Sequence, residues 1–440
     1  MRLFNFEHIL VLFCSRFPYV PSHMKDPKRR VVLTGMGILA PNGNSLDSFW
    51  HNTLRCVSGT GSVTRFDAEH YRVKLAAEVK GFQLADYLPS DLHVKTKRLG
   101  MHTQFAIAAT HMAIRHSGLG AEDFRKAEPV IVNLGVSTSA IDVIEKGKEV
   151  LMDRGPGRVS PYIVSACQPH AVACEIVKTL GIRTRRSTFS SACPAGMESV
   201  AHSMTSIRNG ESELVLCGGV DSPITPLTVA SFQLAGMIQT SRFPPEACSR
   251  PFDAERTGGI IAEGAGMFVL ESLEHALVRG ATPLAELVGY GTYADDIGAE
   301  AGEGLVHSMR DALDQSGLLP EDIDYVNAHG PSDPVIDRME TRAIKTVFGD
   351  RAYRLPISSI KGVTGNPLAA AGPFQMAACA MAFGTDTLPP TAHYEFPDPD
   401  CDLNYIPNRP LKRRVRRALV NLHGLGGGNS TMILQRVEPR

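Results

Sequence analysis

Four runs of this chain are apolar at nearly every position: RVVLTGMGIL at 30–39, PVIVNLGV at 129–136, ELVLCGGV at 213–220 and GMFVLES at 266–272. A strand with one wet face alternates apolar and polar residues, so a continuous apolar run implies a strand covered on both faces. Such strands require helices on either side. LGMHTQFAIAATHMAIRHSG at 99–118 and HSMRDALDQSGL at 307–318 supply helical spacing and run out at glycines. METRAIKTVFG and PLAAAGPFQMAACAMAF read as two more helices. DIDYVNAHG, RALVNLHG and STMILQRV read as further strands. The pattern defines an α/β chain in which helices sandwich sheets.

At 440 residues, 43% hydrophobic and 21% charged, the chain has ample core, and its length suggests two or three domains. A formal net charge of -1 gives no global field for nucleic acid or a membrane. Local basic clusters at Lys28–Arg30, Arg183–Arg186 and Lys412–Arg417 are either solvated faces or a docking patch for an acidic partner. Nine cysteines without CxxC spacing point to free thiols in a reducing compartment, the cytoplasm. HILVLF at 8–13 is too short to span a bilayer and has no convincing cleavage site. Met24 reads as the native start, with residues 1–23 a poorly ordered extension.

One internal echo bears on the fold. SSACPAGMESVAHSM at 190–204 and TGNPLAAAGPFQMAAC at 364–379 share a strand-like lead, then Cys-Pro or Asn-Pro, then a small-residue helix. A duplicated α/β unit would bring both helix entrances to a shared pseudo-two-fold axis. Asn366 is expected to cap its helix with Pro367 at N1, its oxygen accepting and its nitrogen free to donate.

Cys193 has the best nucleophile context of the nine. Cysteine is a poor cap, yet it stands before Pro194 and a helix whose Met197, Val200, Ala201, Met204 and Ile207 form a buried stripe. A thiol there faces unpaired amides and the positive end of the helix dipole, which favour thiolate. The competing reading is a small core residue. His329, in YVNAHGPSD, ends a strand before a glycine, where site residues of α/β proteins gather. GLGGGNS at 424–430 offers backbone amides to a ligand and lacks the phosphate-loop pattern.

SSACPAG, RPFDAERTGGIIAEGAGMFVLES, NAHGPSDPVIDRMET, SSIKGVTGNPLAAAG and NLHGLGGGNS, in that order, resemble a β-ketoacyl synthase, and most closely the elongating ketosynthases that use acyl carrier protein in fatty acid and polyketide synthesis. The resemblance spans roughly residues 29–437. It implies a thiolase fold, a duplicated five-layer αβαβα sandwich with halves at 29–285 and 286–440. It also implies a homodimer, with a heterodimer of two ketosynthase-like chains as the other possibility. Cys193 matches the nucleophile, and His329 the histidine that polarises the malonyl thioester carbonyl. Lys361 and Glu340 match the organising lysine and glutamate, and the amides of Cys193 and Leu425 match the oxyanion hole. The implied reaction is a decarboxylative Claisen condensation. It uses no metal and no bound cofactor, because the substrates ride on the phosphopantetheine of an acyl carrier protein.

The departures from the family are as specific as the matches. Asn366 stands where a second catalytic histidine is usual, though primer-type ketosynthases work with Cys-His-Asn. Pro331, Ser332 and Asp333 replace threonine- and serine-rich pantetheine contacts. Leu425 replaces a gating phenylalanine, and His423 replaces another two residues earlier. His423 is thus a candidate to reach the site and supply part of the missing histidine's work. Three functions fit these residues: an elongating synthase of a specialised pathway, a non-elongating acyltransferase-like relative, and a non-catalytic partner resembling a chain-length factor.

Overall fold

The computed structural model describes residues 29–127, 129–296 and 302–438. The apolar run at 8–13 and Met24 lie outside them. Ten strands form one sheet: β1 (Val31–Leu39), β2 (Val130–Val136), β3 (Thr184–Phe189), β4 (Leu214–Asp221), β5 (Gly264–Ser272), β6 (Ala285–Ala294), β7 (Tyr325–Asn327), β8 (Ile357–Ser358), β9 (Arg417–His423) and β10 (Gly428–Gln435). Their spatial order is β3-β2-β4-β5-β1-β6-β10-β9-β7-β8.

That order contains the same five-strand pattern twice. In each unit the first strand pairs antiparallel with the fifth and the fifth antiparallel with the fourth. The fourth then pairs parallel with the second, and the second parallel with the third. Among the described residues, the strands of the two units pair with each other only where Val31–Leu33 meet Ala285–Leu287.

Three hydrophobic cores account for the unbroken apolar runs. Phe268 and Leu270 of β5 enter a central core, while Met267 and Val269 point into an outer one. Val420 and Leu422 of β9 likewise face the centre, and Leu419 faces the second unit's outer core. Helices fill each gap. Helix α1 (Met101–His116) lies on β1, β4 and β5 outside the first unit. Helices α2 (Ala195–Arg208) and α5 (Ala371–Thr385) occupy the centre. Helices α3 (Glu303–Ser316) and α4 (Pro334–Phe348) cover the second unit. Both central helices touch strands of the two units, giving five layers, α-β-α-β-α. The stretch Leu368–Thr385 is long and apolar enough to cross a membrane, but 83% of it is buried as a core element.

The echo at 190–204 and 364–379 is thus the paired central layer. The two entrances nearly touch: a Cβ on Gly196 or on Gly219 would lie 2.1 Å from the Ala369 carbonyl oxygen. Only glycine permits that approach.

Candidate active site

Cys193 sits where β3 hands the chain to α2. Ala192, just before it, has φ 58°, a conformation costly for a residue with a Cβ, and the surrounding packing must impose it. The thiol is 5% exposed. Burial pushes it up from the ordinary thiol range, while Lys361, the Asn366 amide and the Leu425 backbone N–H pull it down. This corrects the expectation of a dipole-stabilised thiolate. The helix starts at Ala195, beyond Pro194, and desolvation is the largest influence on the sulfur.

Asn366 is corrected as well. Its backbone is held extended against the 260–262 segment, donating to the Ile260 carbonyl at 2.8 Å and accepting from the Ala262 amide at 3.0 Å. Leu368 then takes φ 50°, and α5 begins only at Ala371. Asn366 therefore caps nothing. Its Oδ1 is buried without a partner among the described residues, and its Nδ2 lies 3.9 Å from Cys193 Sγ. The Asx cap with proline at N1 occurs instead at Asp333-Pro334, where Asp333 accepts from the amides of Val335 (2.8 Å) and Ile336 (3.0 Å).

His329 follows β7 and is gripped from both sides. Glu340, buried on α4, accepts the His329 amide at 2.9 Å and the Gly330 amide at 2.8 Å. Lys361 Nζ donates to the His329 carbonyl at 2.6 Å and to Gln375 Oε1 at 3.2 Å, and lies 3.3 Å from His329 Nδ1. Burial, the Lys361 cation and His423 hold the His329 imidazole well below its ordinary range. The ring is therefore neutral at physiological pH and can donate from Nε2. Burial lowers Lys361 to about 8, with Glu340 and Cys193 opposing.

That value fixes a pH dependence. The ammonium that supports His329 is complete below about pH 8 and lost as pH rises through it. We expect any step that relies on the His329 N–H to slow between pH 7 and 9.5. A flat stopped-flow profile over that range would remove Lys361 from the chemistry.

Cys193, His329, Asn366, His423 and Leu425 line one pocket of about 220 Å³, together with the apolar Phe232, Met237 and Ile261. Leu425 stands at the mouth, 66% exposed. The Gly-rich loop is pressed onto the nucleophile's turn, since a Cβ on Gly424 would lie 2.5 Å from Pro194 Cδ. Asp333 also lines the pocket, with one carboxylate oxygen committed to the helix cap. Ser332, expected at the substrate, is fully buried, and its hydroxyl accepts the Arg250 amide at 2.9 Å. Lys412–Arg417 leads into β9, and that strand's six steps put it about 20 Å from His423.

Several residues of the site escaped the sequence reading. Asp221, at the end of β4, accepts the amides of Ser137, Thr138 and Ala369, fixing the strained turn at Leu368. Burial raises it to about 6. Gln375 Nε2 is ringed by the carbonyls of Asn327, Ala328 and Asn421, which turns its oxygen toward Lys361. The long RPFDAER segment is structural: Arg250 pairs with Asp253 and Glu395, Arg256 with Asp337 and Asp398. It sets the Phe252 ring against Gly330, where a Cβ would lie 2.7 Å away. The only signal for the carboxylates and glutamine was polarity inside apolar runs.

A buried thiol, a neutral imidazole and a carboxamide on one pocket of a duplicated five-layer sandwich define a thiolase-fold enzyme of the acyl-transferring class. The comparisons give the particular family. Residues 28–276 match the β-ketoacyl synthase N-terminal domain and residues 284–395 the C-terminal domain. The chain is 36% identical to 3-oxoacyl-[acyl-carrier-protein] synthase 2 of Staphylococcus aureus (strain N315), over 93% of this chain and 99% of that one. It is 35% identical to the enzyme of that name from Synechocystis sp., with the same coverage. A solved structure titled the ishigamide ketosynthase/chain length factor superposes with TM-score 0.87 at 32% identity, covering 93% of this chain and 100% of that chain. A β-ketoacyl synthase from Burkholderia phymatum STM815 gives 0.85 at 29% identity, with the same coverage. The chain belongs to the β-ketoacyl synthase family and is a ketosynthase, an enzyme of the acyltransferase class.

Proposed function

We propose that this ketosynthase elongates an acyl chain delivered by an acyl carrier protein. Cys193 takes the acyl group from the phosphopantetheine thioester, with the amides of Cys193 and Leu425 holding the oxyanion. His329 Nε2–H and Asn366 Nδ2 then donate to the thioester carbonyl of malonyl-carrier protein as carbon dioxide leaves. The enolate so formed attacks the Cys193 acyl carbon and releases a 3-ketoacyl product. The carbanion arises by loss of carbon dioxide, so polarising donors suffice without a strong base, a metal or a bound cofactor.

The observation that carries this reading is the convergence of the thiol, the imidazole and the carboxamide on one apolar-walled pocket. A purely structural partner would not need the Lys361–His329–Glu340 assembly. The departures at Asn366, Pro331, His423 and Leu425 favour a specialised fatty acid or polyketide pathway. Eight free cysteines among the described residues suit the cytoplasm. A homodimer fits the open edge of β3, whose Arg185, Arg186 and Ser187 are exposed and, among the described residues, paired by no further strand. A ketosynthase-like second subunit would use the same edge.

The test is incubation with acyl- and malonyl-carrier protein, followed by mass spectrometry of Cys193 and of the products. Acylated Cys193 with a 3-ketoacyl product is the expected result. Acylation without carbon dioxide release would make the chain a non-elongating acyltransferase, and no acylation would leave a structural partner. In the same assay Asn366→Ala should slow decarboxylation by about 10²-fold, the usual cost of one oxyanion donor, with an unchanged melting temperature. Asn366→His should retain it.

A further inference from the structure

The proton positions on the two pocket histidines follow from their neighbours. Lys361 has three N–H bonds and three acceptors: the His329 carbonyl, Gln375 Oε1 and His329 Nδ1. His329 Nδ1 therefore holds a lone pair, and its proton is on Nε2. His423 is the reverse case. Its Nδ1 lies 2.9 Å from Asn429 Oδ1. The orientation of Asn429 is set by its nitrogen, which donates to Asp295 Oδ2 and the Gly427 carbonyl, both at 2.9 Å. An amide oxygen only accepts, so His423 Nδ1 carries a proton, and in the uncharged ring the lone pair sits on Nε2.

The two rings stand edge to face, centroids 6.2 Å apart at 71°, and both line the pocket of Cys193. The pocket thus has one imidazole N–H and one imidazole lone pair. The other groups near it are less suited to be the base than an imidazole lone pair. Asn366 does not titrate, Lys361 is a cation below about pH 8, and Asp333 commits Oδ1 to the first amides of α4. Burial keeps the Cys193 thiol protonated at rest, so acylation must move a proton.

We propose that His423 Nε2 is the general base for acylation of Cys193. As sulfur attacks the incoming thioester carbonyl, the S–H proton passes to Nε2. The tetrahedral intermediate then collapses by breaking the bond to the pantetheine sulfur, and that thiolate takes the proton back from Nε2. One thioester and one thiol enter, and one of each leaves. This gives His423 the transfer half-reaction and leaves decarboxylation to His329 and Asn366. It rests on the reading of Cys193 as the acyl acceptor.

Separate half-reactions test it. With acyl-carrier protein in excess, acylation of Cys193 is followed by intact mass for the wild type, His423→Gln and His423→Phe. The variants are then loaded to completion, and carbon dioxide release from malonyl-carrier protein is measured. Acylation is expected to slow by about 10²-fold, the usual scale of general-base assistance, while decarboxylation by loaded enzyme changes less than about threefold. His423→Gln can keep the bond to Asn429, so slowing in both variants excludes loss of that contact as the cause. Acylation at the wild-type rate in His423→Gln overturns the proposal, as does an equal loss in both half-reactions. A wild type that never acylates refutes the proposed function itself.

Discussion

Replacing His329 by alanine is expected to lower condensation by about 10³-fold while Cys193 still becomes acylated. The ring is neutral, fixed by Lys361 at Nδ1, and presents one N–H to the pocket. A donor aimed at developing negative charge in a water-poor site contributes roughly 10²–10³ in rate, and it is wasted on the transfer step. Steady-state turnover would fall, and intact mass would show the acyl-enzyme accumulating. Failure of the variant to acylate at all would mean that His329 acts on the thiol, contrary to the tautomers assigned above.

Removal of Lys361 should be the most damaging change to the fold around the site. Lys361→Met leaves the buried Glu340 carboxylate without its counter-charge, and the His329 carbonyl and Gln375 oxygen without a donor. Breaking a buried charge pair from one side costs about 3–5 kcal/mol, far more than a surface pair. Urea unfolding should show that loss. It should also show that Lys361→Met with Glu340→Gln costs less than the sum of the singles, because the second change removes the stranded charge. Strict additivity would mean that the two groups do not sense each other through His329.

Much of this site was legible as sequence. Cys193 stood out because it precedes Pro194 and a small-residue helix, where Ser or Asp is more usual, and His329 because it follows a strand-like run and precedes a glycine. Asn366-Pro367 and Asp333-Pro334 show where local reading stops. Both have the cap chemistry, but only the second is a cap. The first is pinned by backbone bonds to residues 260–262, more than a hundred positions away. Asp221 and Gln375 were invisible for the same reason, since their partners come from other strands and from the opposite unit.

The sequence alone pointed to the layered α/β class, the duplication and the family, and singled out Cys193 as the candidate nucleophile. Those features rest on periodicity, local chemistry and long motifs carried along the chain. Only the tertiary structure decided which groups are charged, which nitrogen holds each proton, and whether Asn366 faces a helix or a sulfur. Burial, hydrogen-bond partners and electrostatic neighbours set those properties, and folding supplies them from distant parts of the chain.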